Sequence, residues 1–469
     1  MTSGSSERPP AGAIAASPAA AGPRLSPAAR AAILGAALLL GLGLRLAMSP
    51  YATLDVGRYL RPWYEFARDH GWASLSAGFT NYTPFYSYLL IAVTAFDGRA
   101  PMLLLIKAIS FAFELGTALL AYRFVLRATR SHNRAAVALI ACWLAPTVFY
   151  NGALWGQADS IWTFFIVLSA YLFSTGRNGA IPFGVAFAVK AQAVFLGPFA
   201  LGMILRERRS LLWLAALPAA YLAFAAPTLL AGRPLRGVLR IYLDQADYFQ
   251  ALSKHAANLW ALAPGIPYSV GLPIGAAVAG AAGLALTVMI DRAKRRDIEF
   301  NTLAACLSLL AMPLLLPKMH DRYFYAFEML SIILACQNRR YLLVALAAQT
   351  SAILSYVAFD QDIQLGVPVA AVQNLILGAF LLRSFLRPGA IAEPSRGEVA
   401  GYVGLSAVIA GLLPFCRGSQ PHPFADGALL LVCTLLVAHI GLVLLRVSRA
   451  PAGGAGAWTA QTDLSLPAE

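Results

Sequence analysis

Long apolar runs alternate with short polar segments along nearly the whole chain. They cover residues 31–48, 84–96, 101–125, 135–150, 161–173, 180–205, 211–231, 270–290, 300–316, 324–336, 341–359, 367–382, 399–415 and 427–445. A membrane-crossing helix needs about 20 apolar residues. The pattern therefore predicts an all-α polytopic membrane protein of about 12–14 transmembrane helices. Two runs break the rhythm. Residues 84–96 are too few for a full crossing, so this run is expected to insert partly and return to the face it left. Residues 180–205 contain Pro182, Gly184, Gly197, Pro198 and Gly202 around a central Lys190-Ala191-Gln192. Two half-helices meeting at that polar triplet are expected, an arrangement tolerated at membrane depth where it lines a cavity. Between the first two runs, the spacing of Tyr59, Leu60, Trp63, Phe66 and Ala67 predicts a helix lying in the membrane interface.

Positive clusters orient these elements. Arg127/Arg130/Arg134, Arg206/Arg208/Arg209, Arg292/Lys294/Arg295/Arg296, Arg339/Arg340, Arg383/Arg387/Arg396 and Arg446/Arg449 are all expected on the cytoplasmic side. An even number of crossings must then separate them, and folding back the two irregular runs satisfies that parity. Residues 1–30 and 447–469 are expected to be disordered cytoplasmic ends. The run 31–48 reads as an uncleaved first span, with a cleaved secretory signal as the alternative. Residues 31–340 form the expected functional membrane module, with a first outer loop at 49–100, and 341–446 supply further helices.

Composition agrees: 59% of residues are hydrophobic and 12% charged, against about 25% charged in soluble proteins. The net charge of +14 is accounted for by cytoplasmic loops, so no nucleic-acid partner is implied; the lipid bilayer is. Five cysteines, mostly within apolar runs, show neither a disulfide framework nor metal spacing.

Under this topology the unusual polar motifs fall on one outer face. They are Asp55, Tyr82, Gln157/Asp159, Lys190/Gln192, Asn258/Trp260 and Lys318/His320/Arg322. Clustered cations suit a phosphate, and a carboxylate can take a proton from an attacking hydroxyl. Each residue also has a structural reading. Asp55 can cap the interfacial helix and Asp159 the helix near Ile161. Lys190 can pair with Glu114, which otherwise has no assigned role. Lys107 can snorkel to the near interface, Trp155 and Trp260 can belong to an aromatic belt, and Asp321 can merely neutralise its neighbours.

The ordered series Asp55, Asn81-Tyr82-Thr83-Pro84-Phe85-Tyr86, Trp155-Gly156-Gln157-Ala158-Asp159-Ser160, Lys190-Ala191-Gln192, Asn258-Leu259-Trp260 and Pro317-Lys318-Met319-His320-Asp321-Arg322-Tyr323-Phe324-Tyr325 resembles the GT-C superfamily of integral-membrane glycosyltransferases. It is most similar to bacterial mannosyltransferase-like proteins related to the second GPI mannosyltransferase, over roughly residues 31–340. Lys190-Ala191-Gln192 stands where many relatives carry Lys-Pro-Gln, and the Tyr-x-Pro motif lacks a second proline common among them; both leave the subfamily open. The resemblance implies inverting transfer of a hexose, mannose first, from a polyprenyl-phosphate sugar to an acceptor hydroxyl on a glycan, lipid or protein. It implies a bacterial inner membrane with the site facing outward. Carried over, Asp55 is the catalytic base. Lys318, His320, Arg322 and Lys190 hold the donor phosphate. Gln157, Asp159, Gln192, Tyr82, Asn258 and Trp260 line the substrate or acceptor site. No metal and no cofactor are expected. A multi-pass transporter, or a flippase or ligase for lipid-linked glycans, is the alternative.

Overall fold

In a computed structural model, residues 26–387, 391–416 and 423–449 are described. They are almost entirely helical. Among them ten helices are long and apolar enough to cross a membrane: Pro27–Met48, Met102–Thr129, His132–Leu154, Leu211–Leu230, Tyr268–Asp291, Ile298–Leu315, Arg339–Gln361, Gly366–Leu386, Arg396–Phe415 and Phe424–Arg449. The count is below the expected 12–14. The helices Asp159–Ser174 and Tyr325–Gln337 were counted as crossings, yet at 1.5 Å per residue they reach only about 24 and 20 Å. Both are largely buried among other helices, so they need not match the bilayer thickness.

Local chemistry fixes the ends of these helices. The Ser26 hydroxyl accepts from the backbone N–H of Ala29 at 3.1 Å, with Pro27 at the first helical position. The first helix thus begins before Ala31 and the last runs to Arg449, each inside a stretch expected to be disordered; residues 1–25 and 450–469 lie outside the described residues. Asp297 caps Ile298–Leu315 through the N–H of Phe300 at 3.0 Å. That helix ends just before Pro317, which has no N–H to continue it. Ser395 and Glu398 form a reciprocal capping box at the start of Arg396–Leu412.

The run 180–205 folds back as expected. Ala180–Val189 runs antiparallel to Asp159–Ser174, from Gly179 beside Ser169 and Phe173 to Lys190 beside Asp159. The chain breaks there, because Lys190 is extended (φ −154°, ψ 135°). It returns through Ala191–Leu196 and Gly197–Arg206, so that Arg206 comes back beside Ser174 and Gly176. The segment 49–100 carries Val56–Leu60, Arg61–His70, Gly71–Ser76 and Pro84–Thr94 as short helices.

The bundle therefore has two chemically distinct ends. Arg127, Arg130, Arg206 and Arg296 share a concavity at one. Arg134 donates to the Gln337 carbonyl there at 3.1 Å, and Phe385, two residues after Arg383, stacks on Phe300 at 4.8 Å. Asp55, Gln157, Asp159, Lys190 and Arg322 gather at the opposite end. One continuous apolar core, from Val56 to Val447, joins the two. A buried ion pair lies within it. Arg45 donates to Glu114 at 2.7 Å, packs over the Trp143 ring at 3.5 Å and donates to the Gly41 and Trp143 carbonyls. Glu114 is thus Arg45's partner and not Lys190's. Lys107 does not reach solvent either. It is 1% exposed and donates to the carbonyls of Ser49 and Tyr51, where the first helix ends.

Candidate functional site

The site is built from five segments at the end opposite the arginines. The turn Trp155-Gly156-Gln157 aims two of its side chains. Trp155 is 1% exposed, packed against Tyr150, Tyr356 and Phe359, and its indole donates to Asp360 at 3.4 Å. It is an internal anchor rather than part of an interfacial belt. Gly156 has φ +70°, and a Cβ there would press on Leu60 and Lys107 at 3.3 and 3.4 Å. Glycine is what this left-handed turn requires. The turn delivers Gln157 to Asp55 and Asp159 to the interior.

Asp55 precedes the π-helical turn Val56–Leu60 but makes no side-chain capping bond. Its Oδ2 instead accepts from Gln157 Nε2 at 2.8 Å, and Tyr82 donates to Gln157 Oε1 at 3.5 Å. Among the described residues no hydrogen bond reaches Oδ1. The carboxylate is half-buried. Single-turn π segments are frequent at functional sites, and this one begins directly after Asp55. Thr83 ties the same loop to the Lys190 break by donating to the Val189 carbonyl at 3.0 Å.

Asp159 is fully buried and does not cap its helix either. Lys190 contacts its Oδ1, Trp162 donates to Oδ1 at 3.0 Å, and Asn151 donates to Oδ2 at 3.3 Å. Arg322 Nε stands 3.4 Å from Oδ2. Three hydrogen bonds hold this carboxylate and a second cation stands beside it, so it serves as a fixed negative centre for Lys190 and Arg322. Lys190 also lies between the rings of Tyr82 and Tyr323, at 5.8 and 5.6 Å.

Arg322 differs. Asp159 and Asp321 flank it at 3.4 and 3.8 Å, distances that orient a guanidinium without satisfying its N–H groups. Among the described residues it makes no hydrogen bond, and its side chain keeps 14% exposure. Beside it, Ser253–Lys254 pairs in parallel with Met319–His320. This two-residue ladder puts Lys254 Nζ over the Phe249 ring at 3.5 Å and His320 against the same ring at 5.1 Å. Burial, reinforced by Arg322, lowers the Lys254 ammonium below the usual lysine range. Burial also lowers the His320 imidazole; Arg322 and Lys254 add to this, while Asp321 opposes it. Both carboxylate oxygens of the buried Asp321 and the His320 Nδ1 have no hydrogen-bond partner. Three groups that can carry positive charge thus gather here, with Asp321 3.7 Å from His320 and 3.8 Å from Arg322 but hydrogen-bonded to neither.

Other expected residues point elsewhere. Lys318 has φ +64° and donates to the Tyr268 hydroxyl at 2.7 Å; Tyr268 and Lys254 both line a cavity of about 510 Å³. The left-handed backbone turns it away from Arg322, so it does not join the cation group. Asn258 and Trp260, expected above to line the substrate or acceptor site, brace the helix end before Pro317. Asn258 caps Leu259–Leu262 through the Ala261 N–H and donates to the Leu316 carbonyl at 3.2 Å. Trp260 donates to the Leu315 carbonyl at 2.8 Å. They satisfy the carbonyls a terminating helix leaves open. Gln192 stays near Tyr323, with its carbonyl oxygen unpartnered.

Sequence reasoning missed Lys254, Asn151 and Trp162, together with Arg45 as the partner of Glu114. Lys254 was readable as a lone lysine in an outer loop, but nothing in its neighbourhood announced a pairing with His320. No compact metal-ligating cluster occurs among the described residues. No family model and no curated protein matches the chain.

Proposed function

We propose that the chain transfers a hexose from a polyprenyl-phosphate donor to an acceptor hydroxyl, with inversion at the anomeric carbon. One observation carries the reading. A carboxylate with a free oxygen, Asp55, shares one end of an apolar bundle with a guanidinium, Arg322, whose N–H donors are unengaged. The first is what a general base needs, and the second is what a departing phosphate needs.

The step balances with those two groups. The acceptor oxygen bonds to the anomeric carbon as the bond from that carbon to the phosphate oxygen breaks. The acceptor proton goes to Asp55, and the electron pair leaves on the lipid phosphate. Arg322, Lys254 and His320 face that developing charge. Gln157 holds the base by its other oxygen. Mannose is the first sugar to try, on the resemblance given above. The site end faces away from the cytoplasm in this reading, because the arginine end follows the positive-inside rule. A bacterial plasma membrane is the proposed setting.

Purified protein incubated with a radiolabelled polyprenyl-phosphate hexose and a hydroxyl acceptor should release lipid phosphate and lose that activity in Asp55→Asn. The folded-back helix at Lys190 also suits a transporter. Movement of intact lipid-linked sugar across a vesicle, with the bond to phosphate unbroken, would replace transfer by transport.

A further inference from the structure

The end opposite the proposed site carries a second concavity, of about 440 Å³, lined by Arg127, Arg130, Arg206, Arg296, Glu207 and Ser174 among others. Four of these are arginines, and Glu207 is the one acidic side chain in the lining. That carboxylate is already engaged, since Arg209 lies 3.3 Å from it and also donates to the Gly176 carbonyl at 3.1 Å. The nearby Asp297 is held by Arg295 at 2.5 and 2.9 Å while it caps its helix. Among the described residues, Arg127, Arg130 and Arg296 make no ion pair and donate no side-chain hydrogen bond.

Two further observations point to a ligand. Arg206 is 6% exposed and is held by the Asn301 side chain at 2.7 Å and the Arg295 carbonyl at 3.3 Å, yet its Nε has no partner. Ser174, also 6% exposed, lines the same concavity with its hydroxyl unpartnered. Buried donors without partners cost stability unless something fills the space.

A plainer account is that arginines at helix C-termini offset the helix dipole. It covers Arg127 and Arg130, at the end of Met102–Thr129, and Arg206, which ends Gly197–Arg206. It does not cover Arg296, which precedes the N-terminus of Ile298–Leu315, where a cation is disfavoured. Nor does it call for a buried hydroxyl facing the arginines.

We infer that this concavity binds a phosphate group, with Arg206 and Ser174 as its floor and Arg127, Arg130 and Arg296 as its rim. Guanidinium forks match phosphate oxygens in pairs, and the hydroxyl completes a donor set without adding charge. Basic pockets between helix ends commonly take lipid headgroups. The phosphate belongs either to an anionic lipid of the surrounding leaflet or to a free phosphorylated solute. The inference does not rest on the proposed transfer reaction.

The test uses the full chain in phosphatidylcholine nanodiscs, in two arms. In one, a minor fraction of fluorescent phosphatidylglycerol reports lipid bound to the protein. In the other, inorganic phosphate and pyrophosphate are titrated calorimetrically without anionic lipid. Arg127→Gln/Arg296→Gln removes rim charges from exposed positions, so folding is retained. Arg292→Gln/Arg339→Gln removes the same charge outside the lining. Binding in either arm that falls at least about tenfold in the rim pair, severalfold in Ser174→Ala and not in the control pair supports the site. The responding arm names the source. Equal loss in rim and control pairs would show only general surface charge and overturn the inference, as would absence of binding in both arms.

Discussion

Asp159→Asn tests whether the buried triad of Lys190, Asp159 and Arg322 organises the site. The substitution keeps the shape and removes the charge. Lys190 is 5% exposed and Asp159 is fully buried, so the neutral variant leaves an ammonium with no compensating carboxylate. Breaking one partner of a buried pair costs about 3–5 kcal/mol. An asparagine oxygen can still accept from Lys190, which argues for the lower end, about 3 kcal/mol. Its amide must then face Asn151 Nδ2 and Arg322 Nε, donor against donor, which restores part of the loss. Lys190→Met should cost less, because Asp159 keeps Arg322, Trp162 and Asn151. In the double variant neither lone charge of the pair remains, so it should be more stable than the sum of the singles by about 1–3 kcal/mol. Denaturant unfolding in mixed micelles, followed by tryptophan fluorescence, measures all four corners of the cycle. Trp162 donates to Asp159 at 3.0 Å and gives a local signal. Additivity within about 0.5 kcal/mol would refute the view that the two residues form one electrostatic unit.

Asp55→Asn should reduce sugar transfer by about 10²–10⁴-fold while stability changes by less than about 1 kcal/mol, because an asparagine oxygen still accepts from Gln157; a dead Asp159→Asn alongside an active Asp55→Asn would move the base. Arg45→Met should destabilise by about 3–5 kcal/mol by stranding Glu114, and Arg45→Met/Glu114→Gln should recover much of it in the same unfolding assay. Gly152→Ala places a Cβ at 1.8 Å from Glu114 Oε1 and should cost about 1–3 kcal/mol through overpacking. The His320 imidazole is lowered by burial from its ordinary value of 6.5, so below that value the unfolded chain binds a proton that the folded one refuses. Stability should therefore be complete above about pH 6.5 and fall as the pH drops below it; His320→Gln should flatten that acid limb, and an unchanged slope would exclude the group.

The convergence of motifs was legible because two signals bore on it together. Arginine clusters set the parity of the crossings, and glycines and prolines marked where 180–205 had to break. Partners were not legible. Arg45 finds Glu114 from 69 positions away, and Lys190 finds Asp159 across 31. Helices in lipid are apolar on every side, so hydrophobicity does not reveal which face of Met102–Thr129 turns inward. Its charged residues then looked like isolated anomalies. Lys318 and the Asn258/Trp260 pair were misplaced for a local reason. A positive φ at one residue and an unsatisfied helix end at Leu315 and Leu316 decided where their side chains point, and neither is written in composition or spacing.

The two aspartates show how one side chain acquires opposite roles. Asp159 is surrounded by donors before any ligand arrives, so its carboxylate is fixed in place. Asp55 is held at one oxygen by Gln157, faces partial solvent and keeps its other oxygen open. In the proposed transfer, Arg322 links them. Its two carboxylate neighbours lie at 3.4 and 3.8 Å, near enough to orient the guanidinium and too far to occupy its N–H groups. A site that must stabilise charge appearing on a phosphate oxygen needs donors already in place, so that they do not reorganise as the bond breaks. In the proposed transfer, Asp159, held by three donors, supplies that order, while Arg322 and Asp55 keep open positions for the reacting groups.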